Sequence, residues 1–403
     1  LACENDDQSY GGMPETNAVP GDPRKVSREF ADQFAARGIK KIQGRVLVDV
    51  SLFPEGTREM GTGVVISPIS VNDNVVDVTV APGAGKDVPA MIAVSPETPY
   101  IHFVNKITTG DVGSKVKLDK PEDVPNPDGT RTVTLTGTIE AQHKPMLFGY
   151  PVETPSRFAE TVLVQALREK GVSAELPGIH DAIDFGKYTQ YYVSDNVVAE
   201  HVSAPMSEEV KVTLKVSQNL HASMTPFLVG AILGKAKTKI EQTGFDQERA
   251  FLEKGSLDLS GASQADGAGA AASAFYTPDF MVRYLAYMAK QPDYPLFLKA
   301  LPILGKDGTL ADIQKDSPAA GHVFAKTGTY GAVDMLNKRL ILTGKGLAGY
   351  LTTESGLHLA FAAYVNRVPL SLEDREAAQN VAGQALGEIA AAAYQLKIDG
   401  PLQ

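Results

Sequence analysis

From His322 onward, the order of elements leaves few folds open. "HVFAKTGTYG" (His322–Gly331) is a β-prone run; "LAGYLTT", a Glu-Ser-Gly turn and "LHLAFAAYV" then pattern as a β-hairpin. A closing helix is expected from Ser371, with Asp374 placed for a capping box. Its expected buried stripe is Ala378, Ala382, Ala385, Leu386, Ile389 and Ala393. A strand, a hairpin and a C-terminal helix in that order predict an antiparallel sheet with the Lys326-Thr327-Gly328 triplet on one of its strands.

The 403 residues leave room for about two to four domains. Residues 1–20 read as a polar tail. Val26, Phe30 and Phe34 then share a helix face that Gly38 stops, and "GRVLVDVSLF" (Gly44–Phe53) reads as a strand. A second helix is expected with Thr154 as cap, Pro155 at its first position, Phe158, Val162, Leu163, Ala166 and Leu167 on one face, and Gly171 as its end. Both helices run into Gly and a β-branched residue, "RGIKKI" and "KGVSAE", a similarity too faint to make a repeat. "NVVDVTVAPG" (Asn74–Gly83) and "RTVTLTGTIEA" (Arg131–Ala141) alternate as strands, and "PEDVPNPDGT" (Pro121–Thr130) reads as an exposed loop. After about residue 200 the composition turns helical, with a helix start at Ser207 favoured by Glu208 and Glu209. Thr277-Pro278 opens another helix, carrying Met281, Tyr284, Leu285 and Met288.

A net charge of -10 and a pI near 5.3 argue against nucleic acid or an anionic membrane as the main partner. No stretch is long and apolar enough to span a bilayer. The one cysteine, Cys3, excludes an internal disulfide. The seven histidines lack metal-ligand spacing, so no metal is expected, and no cofactor. "GAGK" (Gly83–Lys86) lacks the Ser or Thr of a phosphate loop. The Gly-x-Gly-x-x-Ala run from Gly267 lacks the strand, helix and acid of a dinucleotide site.

Three residue types make the triplet chemically useful. Lys326 supplies a cation, Thr327 a hydroxyl for a carboxylate, and Gly328 room for a substrate backbone against the strand. Lys-Thr-Gly is one of three short motifs of penicillin-binding serine enzymes, beside Ser-x-x-Lys and a Ser-x-Asn. Two Ser-x-Asn candidates exist. Ser194-Asp195-Asn196 follows a strand-like run and is more simply a turn; Ser217-Gln218-Asn219 ends the helix carrying Val210 and Leu214, where it can face a cleft. The second is the better choice.

"SAPMSEEVKVTLKVSQN" (Ser203–Asn219) resembles the approach to Ser-x-Asn in the S13 family of D-alanyl-D-alanine carboxypeptidases, the low-molecular-mass class C penicillin-binding proteins. "GRVLVDVSLF" and "VNDNVVDVTVAPG" look like that family's inserted domains. "ADGAGAAASAFYTP", "LPILGKDGTL", "SPAAGHVFAKTGTYGAVDMLNKRL" and "LAGYLTTESGLHLAFAAYVN" look like its catalytic half, in the same order. The resemblance implies an α+β fold: a serine β-lactamase/DD-transpeptidase-like catalytic domain (201–403) with an inserted α/β domain (21–60 and 131–200) and an inserted β-rich domain (61–130). It also implies a serine-type carboxypeptidase/endopeptidase of the bacterial envelope, with peptidoglycan stem peptides as substrate and β-lactams as inhibitors. By motif, Ser217 would relay a proton to the leaving amine with help from Lys326, and Asn219 would bond the acyl side. Lys326, Thr327 and Thr329 would hold the terminal carboxylate, with the Thr329 N–H as an oxyanion donor.

The nucleophile's Ser-x-x-Lys is expected before the inserted domains, hence before Gly21, where Ser9 is the one serine and no lysine occurs. The spelling occurs once in the chain, at Ser114-Lys115-Val116-Lys117, in a period-2 context unlike the start of a buried helix. Ser114 is rejected as nucleophile. The expectation is an N-terminal truncation of an active enzyme, ahead of a natural family member that has lost catalysis and acts as a peptidoglycan-binding scaffold. A second departure is Asp266-Gly267-Ala268-Gly269 and its alanines, where the family carries Ser and a polar run; positioning near the cleft is where this would tell.

Overall fold

The computed structural model describes residues 21–176, 178, 183–371 and 375–397, the side chains of 375–379 excepted. The expected tail of residues 1–20 with Cys3 and Ser9, the Asp374 cap and the Ala378 side chain lie outside the described residues. The chain divides into two compact units, Leu1–Ser203 and Ala204–Gln403.

In the first unit, α1 (Lys25–Ala36) packs on α2 (Pro155–Glu169) around Ala31, Val164, Leu167 and Val172. Each helix ends in a left-handed glycine, Gly38 at φ 75° and Gly171 at φ 76°. The chains leaving them then run side by side: Ser173 N–H donates to Lys40 O and Ile42 N–H to Ser173 O. The faint likeness of "RGIKKI" and "KGVSAE" therefore marks two similar helix exits that meet in parallel. "GRVLVDVSLF" is not a strand. It forms no ladder; Val46 packs into the α1–α2 core and Val48 N–H donates to the Glu160 carboxylate at 3.0 Å.

Seven strands follow among the described residues of this unit. β1 (Val75–Ala81) lies between β2 (Met91–Ser95) and β7 (Met146–Pro151) in one antiparallel sheet. β6 (Arg131–Glu140) pairs in parallel with β3 (Ile101–Gly110) and antiparallel with β4 (Lys117–Leu118) and β5 (Glu122–Pro125) in another. "PEDVPNPDGT" is thus part strand, since Asp123 both pairs with Val133 and takes the Arg131 guanidinium at 2.7 Å. The expected boundary between residues 130 and 131 runs through this sheet, because β6 is its centre. Val76, Val78, Val80, Ile107, Val133, Ile139 and Phe158 close one core beneath both sheets, and burying each contributes about 1.5–3 kcal/mol.

The second unit opens with α3 (Met206–Lys215), α4 (Asn219–Leu228) and α5 (Ile240–Lys254). A two-residue pair, β8 (Ala262–Ser263) and β9 (Phe275–Tyr276), leads into α6 (Pro278–Met288), which Thr277 caps at Phe280 N, and α7 (Tyr294–Ala300). Then come β10 (Val323–Asp334), β11 (Arg339–Thr352), β12 (His358–Leu370) and α8 (Arg375–Tyr394). The three strands form an antiparallel sheet in the order β10-β11-β12, so among the described residues β10 is an edge strand, bridged on its outer side at Phe324 by Ile303 and open beyond.

Alternation fixes which side chain faces which helix. Phe324, Tyr350 and Ala360 pack with Leu285 and Met281 of α6, while Ala325, Leu347 and Leu351 pack with Leu386 and Ala390 of α8. The buried stripe of α8 is Gly383, Leu386, Gly387 and Ala390, whereas Ala385 is exposed and Ile389 is 54% exposed. The face is rotated because a Cβ on Gly387 would lie 2.5 Å from Ile313 Cγ2; the helix comes close through its glycines.

Candidate active site

Ser217 stands in the turn between α3 and α4, at φ 62°. A left-handed serine costs on the order of 1–3 kcal/mol and persists only where its surroundings fix it. Those surroundings are visible. Gln218 is buried and caps α4, its Oε1 accepting from Leu220 N–H at 3.1 Å. Beneath the turn the buried pair His221 Nδ1–Glu209 Oε1, at 2.7 Å, ties α4 to α3. Asn219 is the first residue of α4 and is half-buried.

Lys326 reaches the turn from β10. Its Nζ donates to Ser217 Oγ and to Thr327 O, each at 2.7 Å. Burial of the ammonium first, and the charge of Lys345 second, bring it down to about 8 from 10.5. Lys345 belongs to the adjacent strand β11. Burial lowers Lys345 as well, and its Nζ donates to Thr329 Oγ1 at 2.9 Å. Thr327 Oγ1 lies 2.9 Å from Thr309 Oγ1, and either hydroxyl can donate. Lys215 of α3 holds the loop bearing Thr309: its Nζ lies 2.6 Å from Asp307 Oδ2, and Asp307 Oδ1 accepts from Ile303 N–H at 2.8 Å.

Gly328 and Thr329 are exposed, and a Cβ on Gly328 would meet nothing within 4 Å. Protein packing therefore does not demand glycine there. What it keeps open is the space along the β10 edge, whose main-chain groups can take an extended peptide as a further strand.

The structure brings together Ser217, Lys326, Thr327, Gly328 and Thr329, with Asn219 two residues beyond Ser217. Ser194 belongs to the other compact unit. Ser194–Asn196 is an exposed turn of the first unit, where Asn196 Nδ2 donates to Tyr191 O at 2.9 Å. Ser114 also belongs to the first unit, in a turn after β3, and Lys117, its would-be base, is 80% exposed. Thr309 and Lys345 escaped the sequence reading. Their signals were the Gly-Thr of "LPILGKDGTL" and a lysine between glycines in "GKG", but only tertiary structure joins them to the triplet, Lys345 by strand register and Thr309 by its loop. The alanine run after Asp266 is held without polar side chains of its own. The Asp266 carboxylate accepts from the N–H groups of Ala268 at 2.7 Å, Ala270 at 3.1 Å and Ala271 at 2.7 Å. Among the described residues no group of side chains could hold a metal ion, and no helix is long and apolar enough to cross a membrane.

Comparison with known proteins identifies the family and the fold. The family model described as D-Ala-D-Ala carboxypeptidase 3 (S13) matches residues 19–388. A D-alanyl-D-alanine carboxypeptidase of Actinomadura sp. (strain R39) is 26% identical over 88% of this chain and 66% of that protein. The carboxypeptidase DacB of Haemophilus influenzae is 25% identical over 86% of this chain and 70% of that protein. The chain thus spans about two thirds of the length of these relatives. The crystal structure of penicillin binding protein 4 from Haemophilus influenzae superimposes with a TM-score of 0.71 at 21% identity, covering 93% of this chain and 80% of that one, which establishes the fold.

Proposed function

The chain belongs to the D-Ala-D-Ala carboxypeptidase 3 (S13) family, and from that premise we propose that its cleft is the substrate-binding and proton-handling part of a serine-type D-Ala-D-Ala carboxypeptidase/endopeptidase site. The substrate is a peptidoglycan stem peptide, and β-lactams compete for the same cleft. Such a substrate implies work outside the cytoplasm, in the bacterial cell envelope.

The observation that carries the reading is the Lys326–Ser217 contact at 2.7 Å. Because Lys326 donates to the Ser217 oxygen, the hydroxyl proton of Ser217 is left to point into the cleft. The reaction needs a proton there: a nucleophilic serine attacks the carbonyl between the two D-alanines, an acyl-enzyme forms, and the amine of D-alanine departs protonated. Ser217 hands over that proton and Lys326 replenishes it. Asn219 bonds the acyl side of the peptide, the Thr329 N–H receives the oxyanion, and the hydroxyls of Thr327 and Thr329 hold the terminal carboxylate. Ser114 is no part of this: its turn and its exposed Lys117 supply neither helix N-terminus nor desolvated base.

Titration calorimetry of the 403-residue chain with an N-acetylated stem tripeptide ending in D-Ala-D-Ala is expected to show reversible binding. Lack of binding would overturn the reading. Incubation with a fluorescent penicillin is expected to leave no label on a denaturing gel, and label that vanishes on Ser114→Ala would reinstate Ser114. The open space at Gly328 gives a sharper check. Gly328→Val adds a β-branched residue to a strand where no atom opposes it, so the melting temperature should hold or rise slightly. Peptide affinity should fall by about tenfold or more, since the isopropyl group occupies the substrate's path, a cost near 1.4 kcal/mol. Equal affinity for parent and variant would remove β10 as the docking edge.

A further inference from the structure

We propose that Lys345 is a carboxylate-binding residue of the same cleft, closing an anion subsite with the hydroxyls of Thr327 and Thr329; this rests on the carboxypeptidase reading above. The register of the sheet places the parts. Thr329 pairs directly with Lys345, and Thr327 with Leu347, so both threonines and Lys345 share the face turned to α8. Lys326 lies on the other face but belongs to the edge strand, so the two ammonium groups flank that edge from opposite sides.

The packing of Lys345 points the same way. Its stem passes α8 at Gly383, where a Cβ would lie 3.7 Å from Lys345 Cε and 4.0 Å from Nζ. The side chain is laid along a helix that offers no bulk, with Nζ delivered to Thr329 Oγ1 at 2.9 Å. A half-buried cation ordinarily finds an acid. Among the described residues no carboxylate is ion-paired with Lys345 or with Lys326, although acidic residues outnumber basic ones 48 to 38. Two like charges flanking the edge strand, two threonine hydroxyls on the Lys345 face and no ion-paired acid among the described residues suit an anion. A terminal carboxylate has the charge and the acceptor count to fill it: one oxygen can take a threonine hydroxyl and the other the Lys345 ammonium.

The test uses the 403-residue chain and two probes, the D-Ala-D-Ala tripeptide as free acid and as its C-terminal amide. The parent is expected to bind the acid more tightly than the amide. In Lys345→Gln the acid should lose about tenfold in affinity while the amide is unchanged, and Lys345→Arg should restore most of the difference. Acid binding unchanged in Lys345→Gln would overturn this inference and leave the carboxypeptidase reading standing. So would an equal loss for acid and amide, which marks a structural role. A parent that binds neither probe overturns the reading and this inference together. Should Lys345→Gln fail to fold, Lys345→Arg decides: a retained preference for acid supports the subsite, and a preference lost in a folded Arg variant refutes it.

Discussion

Lys326→Met is expected to cut affinity for the D-Ala-D-Ala peptide by at least about a hundredfold while leaving the protein as stable as before, or more so. The two halves of that expectation have one cause. The ammonium is held in a desolvated place beside Lys345, which is what brings it down to about 8. Folding therefore works against this charge, and an apolar side chain of similar length relieves the cost; about 1 kcal/mol recovered would raise the melting temperature by roughly 2–4 °C. Binding loses a charge-assisted contact in a partly dry cleft, for which truncation costs about 2–5 kcal/mol. The pH dependence has a definite sign. Between about 8 and 10.5 the unfolded chain keeps the Lys326 proton while the folded one has shed it, so stability rises with pH across that window. Affinity for the peptide carboxylate runs the other way, full below about 8 and falling above it. Calorimetric titrations at several pH values, with thermal melts alongside, check both trends. A Lys326→Met protein that melts early yet binds peptide normally would make the triplet a structural strand and nothing more.

Ser217 and Lys326 were legible because their chemistry is written locally. A serine and an asparagine at a helix junction, and a lysine before Thr-Gly on a strand, carry their meaning within a few residues. Lys345 was not, since its partner is fixed by the β10–β11 register, which shifts at a bulge between Tyr330 and Gly331. The same boundary between local and tertiary information runs through the fold. Helices α2 and α6 start where Thr-Pro signals say, although Thr154 makes no side-chain cap bond while Thr277 does. "GRVLVDVSLF" has strand-like composition and no ladder, because a strand needs a neighbour and here α2 supplies Glu160 instead. In α8 the expected alanine stripe gave way to one through Gly383 and Gly387, since closeness of approach, rather than apolar character, chose the face.

The same closeness of approach seats α4, the helix that follows Ser217, and breaking it should produce the largest stability effect in the second unit. Helix α4 begins at Asn219, two residues after Ser217, and carries Pro226 in its interior. Proline lacks the N–H that would bond Ala222 O, so the helix is loosened at that step. Two glycines grip it there, and a third, Gly230 in the turn that follows α4, lies against the start of α5. A Cβ on Gly244 of α5 would lie 1.9 Å from Pro226 O, one on Gly267 would lie 2.0 Å from Ala222 O, and one on Gly230 would lie 1.8 Å from Ile240 O. All three obstacles are backbone, which cannot rotate away as a side-chain tip can. Gly244→Ala must therefore push α4 from α5, at a cost of about 3 kcal/mol, the upper end of ordinary overpacking. That lowers the melting temperature by roughly 10 °C. It also moves Ser217, because the buried His221–Glu209 pair and the Gln218 cap travel with α4. A displacement near 1 Å breaks a 2.7 Å contact with Lys326 and can cost about a hundredfold in a positioned site. Gly244→Ala should thus lose stability and peptide binding together, whereas Gly328→Val loses binding alone. Chemical denaturation and calorimetric titration of the two variants separate the cases. If Gly244→Ala unfolds at the parent's denaturant concentration, α5 does not seat α4, and the position of Ser217 must be owed to the turn itself.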